Sequence, residues 1–279
     1  AEYDPMAWLG EAPDLTPEQC DETVETEVLV VGSALAGSMA AYGAVKNGAE
    51  VNVIERNGAP HIGGMTISFL NSETQLSQGL PKYDKVQVAN QMFNLTQYRS
   101  DMKLNAVWCN RSGEILDNLV KDFCEPYGQY YQPLSLEGIF PDPTQEINSY
   151  ISTGVAFSEK TDILTDFTHN IHKFLEDEGV ITDTRGEVIV KDDSGKVTGV
   201  IASKGDKKVY YKASKGVVMC TGSFGANEAM VNRFFSPELA KFALENNSYN
   251  AYKGDDPVDE VMDDGLGHKM LCWAGGQME

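Results

Sequence analysis

The residues best placed to do chemistry lie close to the start of the chain. Gly32-Ser33-Ala34-Leu35-Ala36-Gly37 stands between an apolar run and an alanine-rich stretch, and Glu55 follows 23 residues after Gly32. A glycine at the first position permits a tight turn, and one at the last lets a helix pack closely on a strand. A helix opening there presents free N–H groups and the positive end of its dipole, which suits a diphosphate. A carboxylate at Glu55 accepts hydrogen bonds from ribose hydroxyls and repels a 2′-phosphate, which disfavours NADP. Ala34 replaces the middle glycine of the usual G-x-G-x-x-G pattern, so a methyl group points to where the diphosphate approaches. The bland alternative is a glycine-rich turn that binds nothing. With strand, helix and acid all in order, the balance falls on nucleotide binding.

Those residues need a scaffold. Val28-Leu29-Val30-Val31 is a continuous apolar run, the pattern of a strand buried on both faces of a parallel sheet. Leu35 to Asn47 predicts a helix stopped by Gly48, and Val51–Glu55 the second strand, which completes a βαβ unit. Residues 1–26 read as an extended acidic leader anchored by Trp8, and 27–279 as one domain. Within it, 57–82 read as a loop and about 83–178 as a helical subregion, with a turn at Arg111-Ser112-Gly113, an irregular stretch at 129–160 and an amphipathic helix over Thr161–Glu178 that Gly179 ends. About 187–212 predicts a three-stranded antiparallel meander, and Gly216–Gly222 a separate buried strand ending on glycine.

Composition narrows the function classes. The net charge of −20, with nine acids and no Lys or Arg in residues 1–27, argues against binding nucleic acid or an anionic membrane through a basic surface. No apolar run reaches the length of a membrane span. Cys20, Cys109, Cys124, Cys220 and Cys272 are scattered and odd in number, which fits neither a disulfide framework nor a structural zinc site. His169 and His172 share a helical spacing but lack companion ligands, so a solvated face is the better reading and no metal is expected. His61 reads as a polar loop residue, and Cys220 as a small buried hydrophobe rather than a nucleophile. The acids Asp255, Asp256, Asp259, Glu260, Asp263 and Asp264 lack the ligand periodicity of a calcium loop. Tyr127, Tyr130, Tyr131 and Phe140 fit loop packing better than a substrate entrance.

Several segments together are more specific. Val31–Gly37, Glu55–Thr66 with Gly63-Gly64-Met65-Thr66, Asp192–Val200, Gly216–Asn227 (GVVMCTGSFGAN), Asp264-Gly265 and Ala274–Glu279 resemble, in that order, the flavoprotein subunit of the fumarate reductase and succinate dehydrogenase family. The resemblance runs from about residue 24 to the end and implies FAD as cofactor. It implies an α/β fold: a Rossmann-like FAD-binding domain with a parallel central sheet and an inserted antiparallel β-meander. It would place Gly32, Ser33, Ala34, Gly37, Glu55, Arg56, Gly63, Gly64 and Thr66 at the cofactor, with a backbone contact to adenine near Glu187. Thr221, Gly222 and Ser223 would border the dinucleotide, and Asp264 would lie nearer the flavin. Departures are Ala34, the larger residues Ile67, Phe69 and Leu70 after the glycine pair, and Met262-Asp263-Asp264-Gly265 in place of Thr-Gly-Asp-Gly.

The resemblance further implies hydride transfer between flavin and an activated carbon–carbon bond of a small substrate. The capping domain, the returning FAD segment and the substrate-binding arginine and histidine of the family fall outside this chain. A further C-terminal half or a second chain would complete the fold, and no catalytic residue is assigned within it. The electron donor and compartment, cytoplasm or export, stay open. Two other readings are a non-catalytic nucleotide-binding or scaffold subunit that has lost flavin, motivated by Ala34, Phe69 and Leu70, and a simple NAD module, which needs neither the Gly63-Gly64 segment nor the meander.

Overall fold

The structure is a computed structural model and describes residues 4, 6–57, 66–133, 154–157, 165–175, 180–181, 183–245 and 263–278. In chain order the elements are β1 (Glu22–Val31), α1 (Leu35–Lys46), β2 (Val51–Ile54), β3 (Thr66–Ser68), α2 (Glu73–Ser77), α3 (Lys85–Leu95), α4 (Met102–Leu119), α5 (Glu125–Tyr127), β4 (Gln132–Pro133), β5 (Gly154–Ala156) and α6 (Thr165–Phe174). They continue with β6 (Val180–Ile181), β7 (Thr184–Lys191), β8 (Val197–Lys204), β9 (Lys207–Met219), α7 (Glu228–Phe234), α8 (Pro237–Glu245) and α9 (Leu266–Trp273). The chain divides into one unit of Ala1–His61 with Leu175–Glu279, and another of Ile62–Phe174.

The first unit is built on a mixed sheet of order β6-β2-β1-β9-β8-β7. β1 lies between two parallel neighbours, with Val30 opposite both Val53 and Val218. A strand flanked on both sides loses its edges to pairing, and its apolar run accordingly has Leu29, Val30 and Val31 buried. The βαβ unit stands as the sequence predicts, with α1 laying Gly37, Ser38, Ala41 and Tyr42 inward. On the other side β7, β8 and β9 run antiparallel, and their inward residues Ile189, Val200, Ala202, Val209 and Tyr211 share one core with Leu29, Val31, Ile54 and Met270 of α9.

Two expectations need correcting in this unit. β1 begins at Glu22, six residues before the apolar run, because β9 offers it a ladder from Glu22↔Val209 onward. The meander's last strand and the glycine-started strand after it are one strand, the 13-residue β9. Gly216 is no boundary. Thr26 pairs with Ala213 and Val28 with Gly216, so a bulge absorbs the extra residue and the ladder continues. Trp8 is buried and meets Phe234 edge to face at 5.1 Å, which ties the leading segment to α7.

The second unit holds helices and a small antiparallel sheet of order β3-β5-β4. The turn expected at Arg111-Ser112-Gly113 is instead the middle of α4. Gly113 is there because the main chain at Leu70 and Ser72 lies against that face of the helix, where a side chain would meet the Leu70 carbonyl. Ser112 Oγ accepts the Leu70 N–H at 3.0 Å, and the Asp117 carboxylate accepts the N–H groups of Glu73 and Thr74, which fastens α2 to α4. The predicted helix over Thr161–Glu178 is described over Thr165–Phe174, and Gly179 lies outside the described residues. Phe69 meets Phe157 edge to face, and Leu70 packs with Val88, Ala89 and Cys109. Both large side chains belong to the core of their own unit.

Candidate functional site

A crevice of about 140 Å³ opens at the carboxyl ends of three adjacent parallel strands, lined by Val31 of β1, Ile54 of β2 and Cys220 just beyond β9. Open α/β sheets bind ligands in this position. The crevice takes in seven of the residues singled out from sequence: Gly32, Ala34, Glu55, Arg56, Thr221, Gly222 and Asp264.

Local geometry explains the glycines. Gly32 has φ of +96°, and a Cβ there would run into the Cys220 carbonyl oxygen. Gly37 faces the Gly32 carbonyl so closely that a Cβ would overlap it, so α1 can approach the sheet only with glycine at this position. Ala34, the departure from the pattern, has φ −63° and ψ −171°, an extended conformation open to any residue, so the methyl strains no backbone. Ala34 is also the N-cap of α1 and makes no side-chain cap. Ser, Thr, Asp or Asn would normally accept one of the first N–H groups. Ala34 offers them no side-chain acceptor and itself lines the crevice, where an anion would meet the dipole favourably.

Glu55 directly follows β2 and is buried. Its Oε2 accepts the Ser33 N–H at 2.9 Å and the Ser33 hydroxyl at 3.1 Å, and its Oε1 accepts the Asn57 N–H at 3.1 Å. An ionised carboxylate has about four acceptor positions, so capacity for a ribose hydroxyl remains on the crevice side. Ser33 thus serves the acid rather than lining the crevice, and its carbonyl accepts the Ser38 hydroxyl at 2.7 Å.

The far wall is less legible in the sequence. Arg56 Nη1 lies 2.9 Å and Arg185 Nη2 3.1 Å from the same Asp264 oxygen, Oδ2. The other oxygen, Oδ1, accepts the Leu266 N–H at 2.9 Å and caps α9. The Asn227 side chain donates to the Asp264 carbonyl at 2.8 Å, and Asp263 Oδ1 accepts the Ser223 N–H at 3.0 Å. These bonds lock the 263–265 turn to the loop after β9. Ser223 is exposed and is not among the residues that line the crevice. Arg185, Thr184, Asp263 and Gly267 line the crevice but were not foreseen. A positive charge opening a strand beside Gly186 was the only available signal for Arg185.

Other expected residues lie elsewhere. Glu187 is not among the lining residues, which stop at Gly186; its carboxylate accepts the Ser203 hydroxyl at 2.7 Å and lies 3.7 Å from Lys208. Thr66 begins β3 in the second unit. Gly63, Gly64, His61, Phe140 and the acids Asp255, Asp256, Asp259 and Glu260 lie outside the described residues, as does the side chain of His169. Cys220 follows its strand rather than sitting within it and is half-buried; burial pushes its thiol up, against a nucleophilic role. Among the described residues there is no group of three His, Cys, Asp or Glu side chains able to hold a metal ion, and no helix long and apolar enough to cross a membrane.

Comparison with known proteins agrees with the crevice. A family model described as FAD binding domain matches residues 27–279. The NADH:fumarate oxidoreductase of Klebsiella pneumoniae (strain 342) is 28% identical over 233 residues, which are 79% of this chain and 23% of that protein. Among solved structures, a 3-ketosteroid-Δ4-(5α)-dehydrogenase from Rhodococcus jostii RHA1 superposes with a TM-score of 0.70 at 22% identity, over 95% of this chain and 56% of that one. The open conformation of a flavocytochrome c3 fumarate reductase gives 0.64 at 19% identity, over 93% and 42%. At these identities the solved structures speak for the fold alone, and the chain spans about a quarter of the curated relative's length. The match over nearly the whole chain, set on a crevice with an uncapped helix and a buried acid, places it in the FAD binding domain family.

Proposed function

We propose that this chain is the dinucleotide-holding part of an FAD-dependent oxidoreductase that transfers hydride between flavin and an activated carbon–carbon bond of a small substrate. One observation carries the reading. The uncapped start of α1 and the Glu55 carboxylate flank a single crevice at the strand ends, at the two positions where a diphosphate and a ribose would sit. The main-chain N–H groups of α1 hold the diphosphate, Glu55 accepts from the ribose, and Gly32 and Gly222 keep the walls free of side chains. Bound FAD supplies the hydride chemistry, which protein side chains lack. The proton for the substrate carbon comes from a group outside this chain, so direction and substrate depend on the rest of the protein.

The flavin-free alternative loses part of its motivation. Phe69 and Leu70 pack within their own unit, and Ala34 adopts a backbone conformation that needs no glycine. The test is the absorption spectrum and intact mass of the natural protein, followed by reoxidation of the dithionite-reduced form with fumarate or with an unsaturated 3-ketosteroid. Flavin bands and reoxidation by one of these substrates are expected. A colourless protein that takes up no added FAD would overturn the proposal.

A further inference from the structure

Acids outnumber bases in the crevice before any ligand enters. Arg56 and Arg185 contribute two positive charges, and Glu55, Asp263 and Asp264 three negative ones. A diphosphate brings further negative charge into a wall whose cations are already engaged. The two arginines are not equivalent. Arg56 makes the shorter contact, 2.9 Å, with its side chain 20% exposed; Arg185 makes the longer, 3.1 Å, and is 37% exposed. Asp264 keeps the Leu266 N–H on Oδ1 and Arg56 on Oδ2 whatever Arg185 does. Its charge therefore stays compensated when Arg185 turns away. A guanidinium fork matches carboxylate and phosphate oxygens equally well.

We propose that Arg185 is a specificity residue for the diphosphate, parked on Asp264 and exchanged to a phosphate oxygen when the dinucleotide enters. The inference rests on the FAD reading above and extends it, since Arg185 lies 129 residues beyond Arg56, within β7 rather than in the turn after β2, and belongs to no phosphate-binding pattern. Asp264 then competes with the ligand: it weakens binding of the diphosphate while holding the wall together without it.

The test uses the intact protein after removal of bound flavin. Dissociation constants of FAD, ADP and adenosine are measured at several salt concentrations for the parent, R185Q, R185K and D264N. R185Q is expected to weaken ADP and FAD about tenfold, leave adenosine unchanged, and flatten the salt dependence of ADP binding. R185K, which keeps the charge without the fork, falls between parent and R185Q and serves in its place should R185Q fail to fold. D264N, which keeps an acceptor for Leu266, tightens ADP. Equal weakening of adenosine and ADP in R185Q overturns the inference, as does weaker ADP binding in D264N. Parent-like ADP binding in R185Q and R185K overturns it too, while leaving the FAD reading intact. A parent protein that binds neither FAD nor ADP removes both.

Discussion

One oxygen of the buried Glu55 carboxylate accepts both the main-chain N–H and the hydroxyl of Ser33, at 2.9 and 3.1 Å. The acid just after β2 thereby fixes the turn that opens α1, so the carboxylate proposed to meet the ribose also holds local structure.

Glu55→Ala removes the acceptor of three donors, two on Ser33 and one on Asn57. A loss of about 2–3 kcal/mol in unfolding free energy is expected. Urea denaturation checks the stability, and flavin per chain after gel filtration is expected to fall with it.

Gly37→Ala and Gly43→Ala lie in the same helix and should move in opposite directions. A Cβ at Gly37 would overlap the Gly32 carbonyl and force α1 from the sheet, at a cost of about 2–3 kcal/mol. At Gly43 nothing lies within 4 Å, so alanine is expected to stabilise by about 0.5–1 kcal/mol through helix propensity. Thermal melts of the two variants make the comparison.

Gly113→Ala is the corresponding test in α4. Propensity alone would make it stabilising, but the new methyl would meet the Leu70 carbonyl and the Ser72 N–H. A net loss of about 1–3 kcal/mol is expected, read by the midpoint of urea unfolding.

The cysteines should divide by burial. Cys124 is 2% exposed, and burial, helped by the nearby Glu125, pushes its thiol up to about 12; burial also raises Cys109. Both are expected to resist a thiol reagent at pH 8 and to react only after unfolding. A raised folded pKa means that this contribution to stability is full below the ordinary thiol value of 9.0 and is lost as pH climbs towards about 12. The stability advantage of the parent over Cys124→Ala should therefore shrink between pH 8 and pH 11, measured by urea unfolding at each pH.

What the sequence discloses follows from how local each signal is. Gly32, Gly37, Glu55 and the elements that position them lie within one short βαβ unit, where apolar runs and glycine positions state their own geometry. Arg185 escapes because its partner Asp264 is 79 residues away and its role comes from a wall assembled by three separate segments. Gly113 misleads for the opposite reason: a glycine that reads as a turn is required by a neighbouring main chain, which helical periodicity does not reveal. Glu187 illustrates a third case. The resemblance implies only a main-chain contact near it, its carboxylate accepts the Ser203 hydroxyl, and the crevice lining on that strand is Thr184, Arg185 and Gly186.

The bulged strand β9 has a consequence for how this chain tolerates length changes. Its first half aligns the meander, and its last residues deliver Cys220, Thr221 and Gly222 to the crevice. A deletion that irons out the bulge at 214–215 would slide one end of the ribbon against the other and turn alternate side chains inside out. Insertions and deletions should accumulate at the hairpin tips, Asp192–Lys196 and Gly205–Asp206, which are exposed, and be purged along the ribbon itself.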